Sequence, residues 1–322
     1  MAEETASWPR APMPWQLEAW NRTEALVQSD SLPHATLLAG PEDIGKRHFQ
    51  LAMAARLLCQ QPTASTACGE CRSCQLLESG SNPDLLMVEP EEDSRVIKID
   101  QIRRLIDFAA KTPALADRKI ILVGPAEVMN INAANALLKC LEEPSASTII
   151  LLYSHQPSAL PATVRSRCQT QAMSPPPQDV SVQWLQQFAG DATSSRQLLE
   201  LAGGRPLAAR KIFLEGRGDQ VLALQKALDA LLEGKISALE FPQAMAELDL
   251  AEVLALMQLR LEHSLKLAVL DGEGFANRDG FRLRDDLARL RRSVSNGANP
   301  NRQLAIEDCA SQLVQAVGQG AA

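Results

Sequence analysis

No stretch of this 322-residue chain approaches the roughly 18 consecutive apolar residues that a membrane-spanning helix needs, so no membrane partner is expected. Met1 to Trp15 hold two glutamates and three prolines. They contain no basic region followed by an apolar run, so no signal peptide is visible and an intracellular, cytoplasmic setting is the expectation. An excess of positive charge is also missing: 32 Lys and Arg stand against 39 Asp and Glu, a formal net charge of −7. That balance argues against autonomous, sequence-independent DNA binding, which needs a basic face to displace counterions from phosphates. Contact with nucleic acid would have to come through a partner or a local patch. Neither an internal repeat nor a low-complexity tail is present. At this length, with 46% hydrophobic residues, the chain is expected to form two or three globular domains with ample core.

Four of the seven cysteines, Cys59, Cys68, Cys71 and Cys74, fall within sixteen residues in the spacing C-x8-C-x2-C-x2-C. In a small secreted protein such clustering would suggest disulfides; in an intracellular chain it reads as a metal site. The two C-x2-C steps share Cys71, and Gly69, Glu70, Arg72 and Ser73 supply the small or polar residues of a tight knuckle. Structural Zn2+ is the expected cofactor, because four sulfur ligands leave no position open for a catalytic water. Cys140, Cys168 and Cys309 are isolated and are expected to pack as small apolar side chains. His34 and His155 have no partner pattern that would make either a ligand.

The first 170 or so residues alternate short β-rich runs with helical patterns. Strands are expected at Thr36 to Ala39, Asp84 to Val88, Lys119 to Val123 and Thr148 to Tyr153. Between them, one helix should run to about Leu58. A second should present Ile99, Ile102, Leu105, Ile106 and Ala109 on one face, and a third should run from an Asn132 cap to Glu143 before Pro144. This alternation implies a parallel sheet with right-handed crossovers, whose ligands gather at the carboxyl ends of the strands. Ser174 to Asp179, with three consecutive prolines, reads as a linker. All later patterns are helical: a small unit to about Gly216, with Gly203 and Gly204 ending one helix and Pro206 opening the next, then a larger region from Asp219. There Leu254, Met257, Leu261, Leu265 and Ala268 form one stripe, and Gly272 to Phe281 and Asn296 to Asn301 are loop candidates. The fold class is therefore α/β plus all-α.

Gly40 to Arg47 fits the phosphate-loop pattern G-x4-G-K through Gly40, Gly45 and Lys46, then breaks it. The pattern wants Ser or Thr next, because that hydroxyl ligates the magnesium bridging two phosphates. Arg47 stands there and offers no lone pair. Glu42 and Asp43 place further negative charge inside the loop. The acid expected at the end of a neighbouring strand is also missing, since Lys119 to Val123 is followed by Gly124-Pro125-Ala126, with no acid before Glu127. Residual nucleotide binding through backbone amides and Lys46, and a retained turn that binds nothing, both remain open.

Several segments now act together: Leu32-Pro33-His34 before the degenerate loop, the four-cysteine insert, Asn135 to Pro144 (NALLKCLEEP) and Leu160 to Cys168 (LPATVRSRC). Over residues 14 to 172 the chain resembles the delta-prime family of bacterial DNA polymerase III clamp-loader subunits, within the AAA+ proteins. The related gamma and tau subunits share the cysteine insert and the Ser-Arg-Cys signature. The degenerate loop and the absent strand-end acids are what favour delta prime. A third departure is Leu207, near the place where active members carry a nucleotide-sensing arginine; Arg205 and Arg210 lie close by. The resemblance implies a RecA-like α/β domain over 1–173 with a zinc module at about 59–74, a small helical lid over 174–216 and a helical collar over 217–322. It implies that Arg167, rather than the neighbouring Arg165, is donated as an arginine finger to ATP held by an adjacent subunit; from spacing alone, an arginine at such a helix-to-strand turn would make a local ion pair. The partners implied are delta and three gamma or tau subunits in a hetero-pentamer that loads the β sliding clamp onto primed DNA, in a nucleoid-associated replisome. The chain would belong to the polymerase holoenzyme without activity of its own. The zinc module would act as a staple or as a docking surface. Two rival readings are an unorthodox ATPase in which Arg47 and Glu127 replace the missing groups, and a zinc-dependent DNA-binding module.

Overall fold

A computed structural model describes residues 7–92, 94–144, 147–244, 248–270, 278–295 and 297–318. The chain divides into two compact units, Met1–Lys211 and Ile212–Ala322.

The first unit is built on five parallel strands, β1 (Ala35–Ala39), β2 (Leu85–Val88), β3 (Lys119–Val123), β4 (Thr148–Ser154) and β5 (Gln169–Ala172), in the order β2-β3-β4-β1-β5. The central strands are apolar without alternation because both faces are covered. Successive side chains point to opposite faces. Leu37, Ile121, Val123, Ile150 and Leu152 therefore enter one core, while Leu38, Ile120, Leu122, Leu151 and Tyr153 enter the other. Helices α1 (Leu17–Gln28), α2 (Lys46–Leu58) and α3 (Arg72–Glu78) supply buried residues to the second core. Helices α4 (Ile99–Ala109), α5 (Ile131–Glu142) and α6 (Ala162–Arg165) supply the first.

The expected strands and the α4 face are present, with Ile102, Leu105 and Ala109 buried. Two details differ. The cap of α5 is Asn130, whose Oδ1 accepts from the Ala133 amide at 2.8 Å, so the helix starts before Asn132. Strand β5 had no sequence signal: Gln-Thr-Gln-Ala lies on the sheet edge, largely exposed, and needs no apolar side chains there. No helix among the described residues is long and apolar enough to cross a membrane.

Beyond the sheet, α7 (Gln178–Ala189) begins directly after the three prolines, which makes the linker shorter than expected. It is followed by α8 (Ala192–Leu201), capped by Asp191, and α9 (Pro206–Leu214). The second unit contains α10 (Gly218–Leu232), α11 (Phe241–Ala244), α12 (Leu250–Leu270), α13 (Arg278–Ser295) and α14 (Arg302–Gly318). Its core is organised on the α12 stripe, where Leu254, Met257, Leu261 and Leu265 are buried with Leu228, Leu287, Ile306 and Leu313. The Ala268 side chain lies outside the described residues, as does most of the loop expected at Gly272 to Phe281. From Arg278 that stretch is helix.

One buried carboxylate ties the sheet to the approach of β3. Asp84 has no exposed surface and accepts three amide hydrogen bonds, from Ala114, Leu115 and Ala116, at 2.7, 2.7 and 2.8 Å. Burial alone would raise its pKa, but those amides and the Lys119 ammonium outweigh it and hold the carboxyl below its ordinary value. Asp84→Asn keeps one acceptor oxygen but turns an NH2 donor toward at least one of the three amides, and should cost about 2–4 kcal/mol at neutral pH. Because the native pKa is depressed, this contribution is complete above the unfolded carboxyl value and is lost as pH falls through the native one. Urea melts of wild type and Asp84→Asn should therefore differ most at pH 7 and converge in acid.

Candidate functional site

The four cysteines come together where α2 ends and α3 begins. Their sulfurs all lie within 4.8 Å of one another. Cys59 Sγ is 3.5 Å from Cys68 Sγ and 4.0 Å from Cys71 Sγ, and Cys68 Sγ is 4.0 Å from Cys74 Sγ. A zinc–sulfur bond of about 2.3 Å puts tetrahedral sulfurs about 3.8 Å apart, so the donor set fits such an ion in chemistry and in size. Amides turn inward as well. The N–H groups of Cys71 and Glu70 donate to Cys68 Sγ at 3.3 and 3.4 Å and bring its pKa down to about 6. Gly69 sits at φ +81°, and the Arg10 guanidinium lies across it so closely that a Cβ there would be 2.0 Å from Nη1. This cation therefore packs on the turn between Cys68 and Cys71. Cys140, Cys168 and Cys309 are buried apart from it, in core clusters.

The phosphate-type loop follows β1. Gly40 has no room for a side chain, since a Cβ would lie 2.2 Å from the Met173 carbonyl oxygen. Gly45 takes φ +86° and opens α2. Its carbonyl and that of Ile44 accept from the Gln16 amide at 2.8 and 3.1 Å, and Trp15 Nε1 donates to Ile44 at 2.9 Å. Lys46 is 2% exposed, and its ammonium donates to the Pro41 carbonyl of the same loop. Burial brings its pKa down to about 8, against the opposing pull of Glu127, Glu42 and Asp43. Arg47 is paired through Nε and Nη2 with both oxygens of Glu89, at 2.5 and 3.0 Å. Leu207 reaches the loop through its backbone, its N–H donating to Asp43 O at 3.2 Å. Arg205 Nε donates to Ala202 O at 2.9 Å, and Arg210 stacks on the Phe188 ring.

The strand-end acid is excluded by more than sequence. A Cβ on Gly124 would lie 2.2 Å from the Tyr153 ring, so an aspartate could stand there only if the ring moved. Glu127 is turned to the end of β4, where its Oε1 accepts from the His155 N–H at 2.9 Å. Sequence reasoning missed Gln16, Trp15 and Glu89 as partners of the loop, because all three lie on segments far from it in sequence.

Arg167 occupies the turn between α6 and β5. Its Nη1 donates to the Thr163 carbonyl at 3.0 Å and to Ser166 Oγ at 3.4 Å, and its Nη2 pairs with Glu142 at 2.5 Å. Arg167 and Arg165 are both exposed.

The thiolate cluster carries its own prediction. Co2+ added to metal-free chain should produce the visible spectrum of a tetrahedral four-sulfur site at one ion per chain. Cys71→Ser should weaken that spectrum and lower the melting temperature, and a strong chelator should lower it for wild type but leave the variant nearly unchanged.

Residues 15–177 match the family model described as DNA polymerase III, delta subunit. Among curated relatives, a DNA polymerase III subunit delta' of Pseudomonas aeruginosa is 38% identical over 95% of this chain and 98% of its own length. The corresponding subunit of Escherichia coli is 30% identical over 92% of this chain and 93% of its own. Among solved structures, a DNA polymerase III gamma subunit-related protein from Thermotoga maritima is similar, with a TM-score of 0.44 at 18% identity over 92% of this chain and 99% of that one. A match of this length to the delta' subunits, at both ends of the chain, leaves one conclusion: the chain belongs to the delta-prime family of DNA polymerase III subunits.

Proposed function

We propose that this chain is the non-hydrolysing member of a clamp loader, and that it lends Arg167 to ATP held by an adjacent subunit. It would assemble with delta and gamma or tau subunits in a hetero-pentamer of AAA+ proteins, in the cytoplasmic replisome, and help place the β sliding clamp on primed DNA. The observation that carries the reading is the contrast between two cationic sites on one chain. Lys46 is buried and donates to the Pro41 carbonyl of its own loop, whereas Arg167 stands on the surface, where its contacts with Thr163, Ser166 and Glu142 leave N–H groups to spare. A permanently charged planar group can bind γ-phosphate oxygens and stabilise the transition state, an effect worth about 10³ to 10⁵ in rate.

The cysteine cluster supports Zn2+ as a structural ion, and its placement favours the staple. Cys74 is buried in the second sheet core, and Cys59, Cys68 and Cys71 pack against that core. A lid over 174–216 and a collar over 217–322 complete the proposed organisation.

Two measurements test the reading. In loader reconstituted with Arg167→Ala chain, and shown by sizing to be intact, single-turnover ATP hydrolysis should lose one site's worth of product in the fast phase. Retention of the full phase rejects the finger. In the isolated chain, magnesium-dependent turnover should be absent from wild type and from Arg47→Thr alike, because position 124 carries no acid; turnover by wild type that disappears with Lys46→Ala would support the rival ATPase.

A further inference from the structure

The Arg167 side chain has a partner that the sequence pattern does not single out. Glu142, the last residue of α5, is 2.5 Å from Nη2. The pair is partly open to water, with the arginine side chain 36% and the glutamate 48% exposed. A pair this exposed contributes little to stability, too little to explain it as a fold determinant.

The base on which it stands is rigid. Leu141 is buried with Val164 and Cys168 in the first sheet core, which fixes the end of α5 against the α6 turn. His34 Nε2 lies 3.1 Å from the Leu141 carbonyl oxygen and holds the same helix end from β1's approach. The Thr163 carbonyl and Ser166 hydroxyl engage Nη1 from one side, and the Glu142 carboxylate engages Nη2. These contacts use at most three of the five N–H donors of a guanidinium, so at least two remain for a ligand. A flexible side chain is thus held in one place without being consumed.

Resting on the reading of Arg167 as a trans-acting finger, we infer that Glu142 is its positioning residue. The carboxylate fixes the guanidinium before the neighbouring nucleotide arrives, so that its ordering does not have to occur during the reaction. Glu143, one residue further on, makes no ion pair among the described residues. It supplies a matched control.

The test uses the reconstituted loader and the single-turnover phase that Arg167→Ala removes. Glu142→Ala should slow that phase about three- to tenfold, the effect of releasing one long side chain. Glu142→Gln, which still offers an oxygen to Nη2, should keep more than half of the rate, and Glu143→Ala should match wild type. The double variant Arg167→Ala/Glu142→Ala should be no slower than Arg167→Ala alone, because Glu142 acts only through the arginine. A wild-type rate for Glu142→Ala beside a defective Arg167→Ala overturns the positioning role while the finger stands. A further loss in the double variant, with assembly intact by sizing, overturns it too by exposing a separate structural role. If Arg167→Ala itself keeps the phase, the finger reading fails first, and the role of Glu142 falls with it.

Discussion

A parallel sheet buried on both faces sends every strand's carboxyl end to the same edge, and the chemistry of the first unit follows from what stands just beyond each strand. Here those residues are Gly40, Glu89, Gly124, His155 and Met173. Each takes part in closing the edge. The Met173 carbonyl fills the space above Gly40, Glu89 takes Arg47, Gly124 receives the Tyr153 ring, and the His155 amide binds Glu127. Register makes this collective. Leu37 is opposite Leu152 and Ile121 is opposite Ile150, so a slip of one residue in any central strand would turn its apolar set to the other face and scatter the edge.

The two departures from the phosphate-loop pattern at this edge differ in how firmly they are held. The Arg47–Glu89 pair is half open to water on the arginine side, and pairs of that kind contribute about 0–1 kcal/mol. It could be exchanged for another anion at little cost. Steric exclusion at Gly124 is harder to undo, because a ring and a backbone would have to separate before an acid could be placed. Of the two departures from the phosphate-loop pattern, the one at position 124 is therefore held by packing more firmly than the one at position 47 is held by its ion pair. Arg167 lies outside this edge: it rises from the turn before the edge strand β5, the part of the sheet with least to bury, and keeps N–H groups beyond those that Thr163, Ser166 and Glu142 engage.

Much of this was legible in the residues. The apolar runs at Lys119 to Val123 and Thr148 to Tyr153 could be nothing but central strands. The cysteine spacing gave the donor set, since a knuckle is a local object. Missing Ser or Thr at position 47 and missing acid at position 124 were visible as absences. What could not be read was anything that depended on distant elements meeting. Glu89 and Arg47 are 42 residues apart, and nothing in either neighbourhood marks them as partners. Strand β5 escaped notice because an edge position tolerates Gln-Thr-Gln-Ala, and Asn130 took the cap from Asn132 because the helix began one turn-position earlier than its apolar pattern. The motif Leu141-Glu142-Glu143-Pro144 offers two carboxylates, and only the packed geometry of the α5 end distinguishes the one that meets Arg167.

The cysteine insert shows why a metal suits this position in the fold. Between the end of α2 and the start of β2 the chain is mainly polar, with Ala67, Cys74 and Leu77 as its buried contributions to the second core. Ordering each backbone residue costs about 1–2 kcal/mol, which three small or medium side chains cannot offset across such an insert. A four-sulfur ion can, because its binding free energy is folding free energy when the ligands are collected only in the folded state. The surroundings reinforce it. Trp8 donates through its amide to Glu78 and through its indole to Leu51, so the segment carrying Arg10 is fastened to α3 and α2 on either side of the cluster. Held there, the guanidinium packs over Gly69, in the turn between Cys68 and Cys71. With such an ion the insert would be secured by ligation from within, and it delivers β2, with Glu89 at its end, to the edge where the loop is closed.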